Sequence, residues 1–308
     1  MTSYYNMLVV TGPTATGKTR LAAHVAAHIG GEIISADSRQ VYRGMDIGTG
    51  KDLDDYMVDG QKIPAHLVDI VDAGYQYNVY EFQRDFLIAY DEIKKRNRFP
   101  ILCGGSGLYI EAVLNNYKLI GVPVNAGLRE SLQDKPLEKL TEILKSYKGK
   151  LHNSTDIVNA KRAVRAIEIE DFYANNRNQD TAMPEMDALV VGVNAQREAR
   201  RERITQRLHQ RLHKGMVEEV KSLLDSGISP DNLIYYGLEY KFITLYIIGE
   251  LTFDQMVEKL NTAIHQFAKR QMTWFRKMER QGTVIRWLDI NMPSGEKIET
   301  IVRWLSER

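Results

Sequence analysis

Several residue groups have the types and spacing that chemistry needs. Gly12-Pro13-Thr14-Ala15-Thr16-Gly17-Lys18-Thr19 has the form G-x-x-x-x-G-K-[S/T]. It follows a short apolar run, Asn6 to Val10, and precedes a helical pattern from Lys18 to Ile29. That is the setting in which such a loop binds anions. Glycines permit the tight turn, and backbone N–H groups form a nest at the positive end of the helix. Lys18 adds a point charge on outer phosphates, and Thr19 offers a hydroxyl to Mg2+. The motif specifies phosphate or pyrophosphate. It does not specify ATP.

Asp37-Ser38-Arg39-Gln40-Val41-Tyr42 follows a second short strand, Glu32 to Ala36. An acid beside hydroxyl, amide and phenol groups suits a planar polar substrate. Asp is also a favoured helix N-cap, and the residue types leave both readings open. Gly104-Gly105-Ser106-Gly107-Leu108-Tyr109 follows an apolar strand, Pro100 to Cys103. Ser106 is either a hydroxyl at the same sheet edge or part of a plain glycine-rich turn. Gly48-Thr49-Gly50-Lys51 is a small-residue turn ending in a cation, a weak signal alone.

Arg200, Arg203, Arg207, Arg211 and Lys214 recur at spacings of three and four, so they share one stripe of a helix. Ile204, Leu208 and Leu212 make the adjacent apolar stripe. Glu198 and Glu202 are the only acids between Arg197 and Lys214. The bland reading is a solvated face. The reading favoured here is a polyanion partner that relieves like-charge repulsion. A second basic-aromatic stretch, Ala268 to Lys277, carries Lys269, Arg270, Arg276 and Lys277, suited to phosphates. Its Trp274 and Phe275 are expected in the core.

These groups need a scaffold that aims them at one place. Short strands at 6–10, 32–36, 67–71 and 100–103 alternate with helices at 18–29 and 78–96, the pattern of a parallel sheet with crossover helices. Ligands bind such sheets at the carboxyl ends of the strands. From about residue 128 the chain turns helical, over 128–147, 156–173, 197–224 and 253–279, with strands expected near 188–193 and 283–288 and a polar loop over 174–186. The fold class is therefore α/β: a P-loop NTPase-like parallel sheet core with an inserted helical region and C-terminal helices. The expected divisions are a P-loop core over 1–120, a helical insert over 121–187, and a returning strand with basic helices over 188–308.

Composition sets outer bounds. At 308 residues the chain is long for one domain. Hydrophobic residues at 44% supply a sizeable core and argue against a mainly disordered chain. No apolar run approaches the length of a membrane span, and no membrane partner is expected. The first ten residues lack a basic leader pattern and read as mature sequence. The single Cys103 cannot form an internal disulfide, which fits a reducing cytoplasm. The net charge of +1 decides nothing about nucleic acid, because the average conceals a mildly basic C-terminal third.

No apolar strand ends in the Asp-Glu pair of an ATP-hydrolysing engine; Leu67-Val68-Asp69-Ile70-Val71-Asp72 is the nearest candidate. A small P-loop transferase is the better reading. A P-loop small-molecule kinase is the alternative, though it has no use for a long basic C-terminal region.

The ordered set of motifs resembles the tRNA dimethylallyltransferase (tRNA isopentenyltransferase) family. The matching segments are GPTATGKT at 12–19, DSRQVY at 37–42, GTGK at 48–51, HLVDI at 66–70, GGSGLY at 104–109, NAKRAVRAIEI at 159–169, the arginine run 203–211 with GMVEEV at 215–220, and AKRQMTWFR at 268–276. They span nearly the whole chain, and their order is more specific than any one of them. The pattern departs from the family in four places. Ser106 stands where Thr is usual, and GTGK lacks an Ala-Lys-Pro ending. Gly237-Leu238-Glu239-Tyr240-Lys241 replaces Gly-Tyr-Lys-Glu, and the segment around Leu151 and His152 is shortened.

The resemblance implies transfer of a dimethylallyl group from its pyrophosphate to the exocyclic amine of the adenosine 3′ of the anticodon. It implies that residues 12–19 hold pyrophosphate and are not an ATPase engine, with Mg2+ near Thr19. It implies Asp37 as general base, Ser106 as an orienting hydroxyl and Arg207 on the pyrophosphate. Ser38 and Gln40 would hold a flipped adenine, and Arg39, Lys161, Arg162, Arg165, Arg203, Arg211, Lys269 and Arg270 would contact tRNA. The partners are then a tRNA anticodon stem-loop and dimethylallyl pyrophosphate, acting with a monomeric, cytoplasmic enzyme.

Overall fold

The computed structural model describes residues 3–147, 157–176 and 183–307. The elements run β1 (Met7–Thr11), α1 (Lys18–Ile29), β2 (Gly31–Ser35), a small hairpin β3 (Met57–Val58) and β4 (Gln61–Lys62), β5 (Ala65–His66), α2 (Val79–Lys95), β6 (Phe99–Gly104) and α3 (Gly107–Leu114). They continue with α4 (Ala126–Leu132), α5 (Leu137–Tyr147), α6 (Ala160–Asn175), β7 (Ala188–Asn194), α7 (Arg197–His213), α8 (Met216–Asp225), α9 (Pro230–Tyr235), α10 (Leu238–Ile247), α11 (Phe253–Arg280), β8 (Ile285–Asp289) and α12 (Ser294–Ser306). Two compact units result. One comprises Met1–Tyr117 with Pro184–Arg308, the other Lys118–Met183.

The larger unit is built on a parallel sheet in the order β5-β2-β6-β1-β7-β8. The central strand reads Met-Leu-Val-Val-Thr and is wholly buried, as a parallel strand covered on both faces must be. Alternation divides it. Met7 and Val9 join the core shared with α2, α3, α7, α8, α10 and α11. Leu8 and Val10 face the opposite core, closed by α1 and α12. Helix α2 starts where a capping box fixes it, with Asn78 and Glu81 satisfying each other's end of the first turn.

Three expectations shift. The strand placed at 67–71 lies at Ala65–His66, because Leu67 and Asp69 take left-handed φ values of 59° and 56° that no strand tolerates. Only a bridge between Tyr42 and Val71 remains there. The helix expected over 197–224 is two helices, broken where Gly215 takes φ 97°. The helix expected over 128–147 is likewise α4 and α5.

In the smaller unit α4, α5 and α6 enclose Leu132, Leu140, Leu144, Ala163 and Ile167. Glu168 is buried there and accepts from Arg129, Arg165 and the Asn125 N–H. The segment around Leu151 and His152, and residues 177–182 of the loop expected over 174–186, lie outside the described residues.

Candidate active site

The carboxyl ends of β1, β2 and β6 open onto a cavity of about 830 Å3. Thr14, Ala15, Thr16, Gly17, Lys18 and Thr19 form one wall. The loop is held in shape from within: Thr16 Oγ1 donates to the Pro13 carbonyl over 2.9 Å, and Lys18 Nζ reaches the same carbonyl at 3.5 Å. Gly12 lies behind the cavity. Its φ is 150°, and a Cβ there would strike the Val193 carbonyl, so only glycine fits. Gly17 takes φ 70° at the start of α1, which turns the loop N–H groups inward. Burial pushes the Lys18 ammonium below its ordinary value, partly offset by Cys103 and Asp37. An anion in the loop would favour its charged form.

Asp37, Ser38, Arg39 and Gln40 line the same cavity. No helix follows Asp37. Its Oδ1 accepts from the Arg39 N–H over 2.9 Å, capping a turn and leaving Oδ2 free of that contact. Gln40 is buried in the wall, where its amide accepts from Ser35 Oγ at 3.2 Å and donates to the Gly50 carbonyl at 3.3 Å. Ser106 also lines the cavity, and its Oγ accepts from the Ser38 N–H over 3.1 Å. Arg39 stacks over the Tyr235 ring at 5.5 Å.

Helix α7 lines the cavity too, through Arg203, Arg207 and Arg211. Ile204 and Leu208 bury the helix against the core, as the adjacent apolar stripe requires. Arg207 pairs with Asp52 at 2.6 Å. Burial beside Arg207 lowers Arg211 to about 10, and its Nε has no partner. Burial raises Glu239, which stands 3.9 Å from Arg211. Arg200 is tied to Asn194 instead.

Arg270 lines the cavity rim over Phe267, whereas Lys269 is exposed and outside the lining. Phe275 is core, and Trp274 is half-buried, packed against that core while also lining the cavity over Gly107. Lys161 and Arg162 are exposed on α6 in the smaller unit, and the Arg165 guanidinium is committed to Glu168 and the Val122 carbonyl.

Three residues position the site: Lys51, only a weak signal in the sequence, and Glu219 and Gln271, which sequence reasoning did not single out. Lys51 is buried and holds the Tyr42 carbonyl, Asp46 and Asp69. Asp69 is therefore a partner of Lys51, Asp72 pairs with Arg43, and neither lines the cavity as a hydrolase acid would. Glu219 on α8 accepts the N–H groups of Asp46, Ile47 and Gly48 and the Tyr240 hydroxyl, which clamps the 46–51 turn. Gln271 on α11 bridges Thr14 and Gly105.

Among the described residues, no cluster of three or more His, Cys, Asp or Glu side chains is placed to hold a metal. The oxygen ligands present are the Thr19 hydroxyl and the cavity carboxylates of Asp37, Asp52, Asp55 and Glu239. This set suits Mg2+, which keeps water and phosphate oxygens as most of its ligands. No helix among the described residues is long and apolar enough to cross a membrane.

A phosphate-binding loop and an acid at the strand ends of a parallel sheet define a P-loop protein with a polar substrate cavity. The IPP transferase family model matches residues 40–278. The chain is 59% identical to tRNA dimethylallyltransferase 2 of Bacteroides fragilis, covering 98% of this chain and 99% of that one. It is 57% identical to tRNA dimethylallyltransferase 1 of Parabacteroides distasonis, over 99% of both chains. The crystal structure of the full-length tRNA isopentenylpyrophosphate transferase from Bacillus halodurans matches with TM-score 0.70 and 30% identity, over 97% of this chain and 95% of that one. A eukaryotic dimethylallyltransferase captured acting on tRNA shares the fold, with TM-score 0.77 at 21% identity over 98% of this chain and 81% of that one. The chain belongs to the IPP transferase family, the tRNA dimethylallyltransferases.

Proposed function

We propose that the phosphate loop, Asp37 and α7 divide the work of tRNA dimethylallyl transfer. The reaction moves the dimethylallyl group of its pyrophosphate to an adenosine of tRNA. The supporting observation is that Asp37, the loop residues Thr14–Thr19, Arg207 and Arg211 line one cavity.

An exocyclic amine has its lone pair drawn into the ring and is too weak an acid for a carboxylate to deprotonate first. The nitrogen attacks the first carbon of the prenyl group as the carbon–oxygen bond breaks, and the electron pair leaves on pyrophosphate. The nitrogen becomes cationic and acidic as its bond to carbon forms, and Asp37 then accepts the proton. Lys18, the loop N–H groups and Arg207 stabilise the departing charge. Mg2+, held by Thr19 and the pyrophosphate oxygens, would supply further neutralisation. Arg207 exchanges Asp52 for pyrophosphate when the donor enters. Ser106 orients the 37–40 turn, and Ser38 and Gln40 form the wall against the flipped base.

The adenosine we assign is the one 3′ of the anticodon. Flipping it costs a few kcal/mol, less in a loop than in a duplex. Exposed cations at Arg203, Lys269, Arg270, Lys161 and Arg162 compensate through phosphate contacts in the anticodon stem-loop. The place of action is the cytoplasm.

The test is purified chain with unmodified tRNA, labelled dimethylallyl pyrophosphate and Mg2+. Label in tRNA with equimolar pyrophosphate is the expected result. Transfer of the ATP γ-phosphate to a small molecule, without prenyl transfer, would replace this reading with a kinase.

A further inference from the structure

One amide joins two segments that the reaction must keep at fixed separation. Gln271 is buried on α11. Its Oε1 accepts from the Thr14 N–H over 2.9 Å, and its Nε2 donates to the Gly105 carbonyl over 2.9 Å. The Thr14 N–H is thus taken by Gln271 and not offered to an anion. Gly105 permits the close approach: a Cβ there would strike Gln271 Nε2 and crowd the Gly12 carbonyl. The next residue, Ser106, accepts from the Ser38 N–H, beside Asp37. Hydrogen-bonded contacts therefore run from the phosphate loop, through Gln271, to the turn that carries Ser106 and on to the acid.

We propose that Gln271 is a positioning residue for prenyl transfer, setting the phosphate loop against the turn that orients Asp37. The inference rests on the roles given above to the loop and to Asp37. A carboxamide is the group this place needs, since it presents one acceptor and a donor side by side on a planar fork. Glutamate has the same shape but two acceptors. Ionised, it sets an oxygen against the Gly105 carbonyl. Protonated, it regains a donor and rebuilds the bridge. Methionine fills the space and can do neither. A filler residue of the fold would not distinguish these states, because its worth lies in volume.

The experiment compares wild type, Gln271→Glu and Gln271→Met in steady-state prenyl transfer across pH, with tRNA affinity measured in parallel. At about pH 8, Gln271→Glu should lower kcat/KM for dimethylallyl pyrophosphate about 30-fold, the scale of a small misplacement of reacting groups. tRNA affinity should be unchanged. The ratio of Gln271→Glu to wild-type activity should climb at least about tenfold between about pH 8 and about pH 5.5, where a buried carboxyl gains its proton. Gln271→Met should stay low throughout. A ratio that ignores pH, or a Gln271→Glu enzyme equal to wild type at pH 8, would overturn the proposal. Unfolding of both variants would assign Gln271 to the fold alone and overturn it too. Asp37→Ala in the same series separates the two ideas: full activity there would sink the role of Asp37, whatever Gln271 does.

Discussion

The Ser38 N–H donates to Ser106 Oγ over 3.1 Å, which ties the turn after β2 to the turn after β6. The two residues belong to adjacent strands' carboxyl ends, where Ser35 pairs in register with Cys103. The proposed proton acceptor, Asp37, and the Ser106 hydroxyl that bonds the next residue are thereby set by sheet geometry. Ser106→Ala leaves one N–H without its partner at a cost of about 1 kcal/mol, or about fivefold in kcat. Ser106→Thr keeps the hydroxyl and should stay near wild type. Single-turnover kinetics with saturating tRNA checks both, and equal loss in the Thr variant would contradict the role.

Lys51 is the keystone of the turn between β2 and the hairpin. Its ammonium is buried, while Asp46 and Asp69 remain partly exposed. Lys51→Met strands both carboxylates and the Tyr42 carbonyl. Water recovers part of the loss, so the expected destabilisation is about 2–3 kcal/mol, below that of a fully buried pair. Urea unfolding measures it. Unchanged stability would show that Lys51 is free for a ligand instead.

Sequence reasoning reached the site where local chemistry decides it. The phosphate loop is contiguous, so spacing alone finds it. Asp37 and Ser106 follow from one rule, that residues just after parallel strands share an edge. Glu219 and Gln271 were not legible, because their partners lie far off in sequence; Lys51 stands in a turn the sequence shows, but its bonds to Tyr42, Asp46 and Asp69, 9, 5 and 18 residues away, depend on how that turn folds. Glu219 bonds the Gly48 N–H from 171 residues away, and Gln271 bonds Thr14 from 257 residues away. Only helix packing brings them together. The third strand was misplaced for a local reason: Leu67–Val71 is apolar enough to be a strand, yet left-handed turns at Leu67 and Asp69 send Asp69 to Lys51. Trp274 packs on the core as expected, but its second face on the cavity was not legible, because apolar spacing does not say which side of a helix meets a cavity.

Stability toward acid has a specific source. The Arg96 guanidinium, with a further bond from His66, holds Glu32 below the ordinary glutamate range despite burial. A carboxyl with a depressed folded value adds stability above its unfolded value and loses it as pH falls through the folded one. Glu32→Gln should therefore be less stable than wild type at pH 7, with the gap closing below about pH 4. Denaturant midpoints across that range test the sign. A gap that widened in acid would contradict it.

Arg203 is exposed on α7 at the cavity wall and, among the described residues, has no tie like the Arg200–Asn194 bond. Arg203→Ala should weaken tRNA binding and reduce the salt slope by about one unit. Affinity titrations at several salt concentrations measure this. An unchanged slope would remove Arg203 from the phosphate contacts.

The central claim is that Asp37 accepts the proton of the amine while the loop holds pyrophosphate. Asp37→Asn is the sharpest probe, because an amide oxygen can still accept the Arg39 N–H and keep the turn. Single-turnover prenyl transfer, with tRNA and donor affinities measured on the same protein, isolates the chemical step. The expected result is a rate about a thousandfold lower with both affinities retained. A rate near wild type would contradict the claim and require another proton acceptor in the cavity.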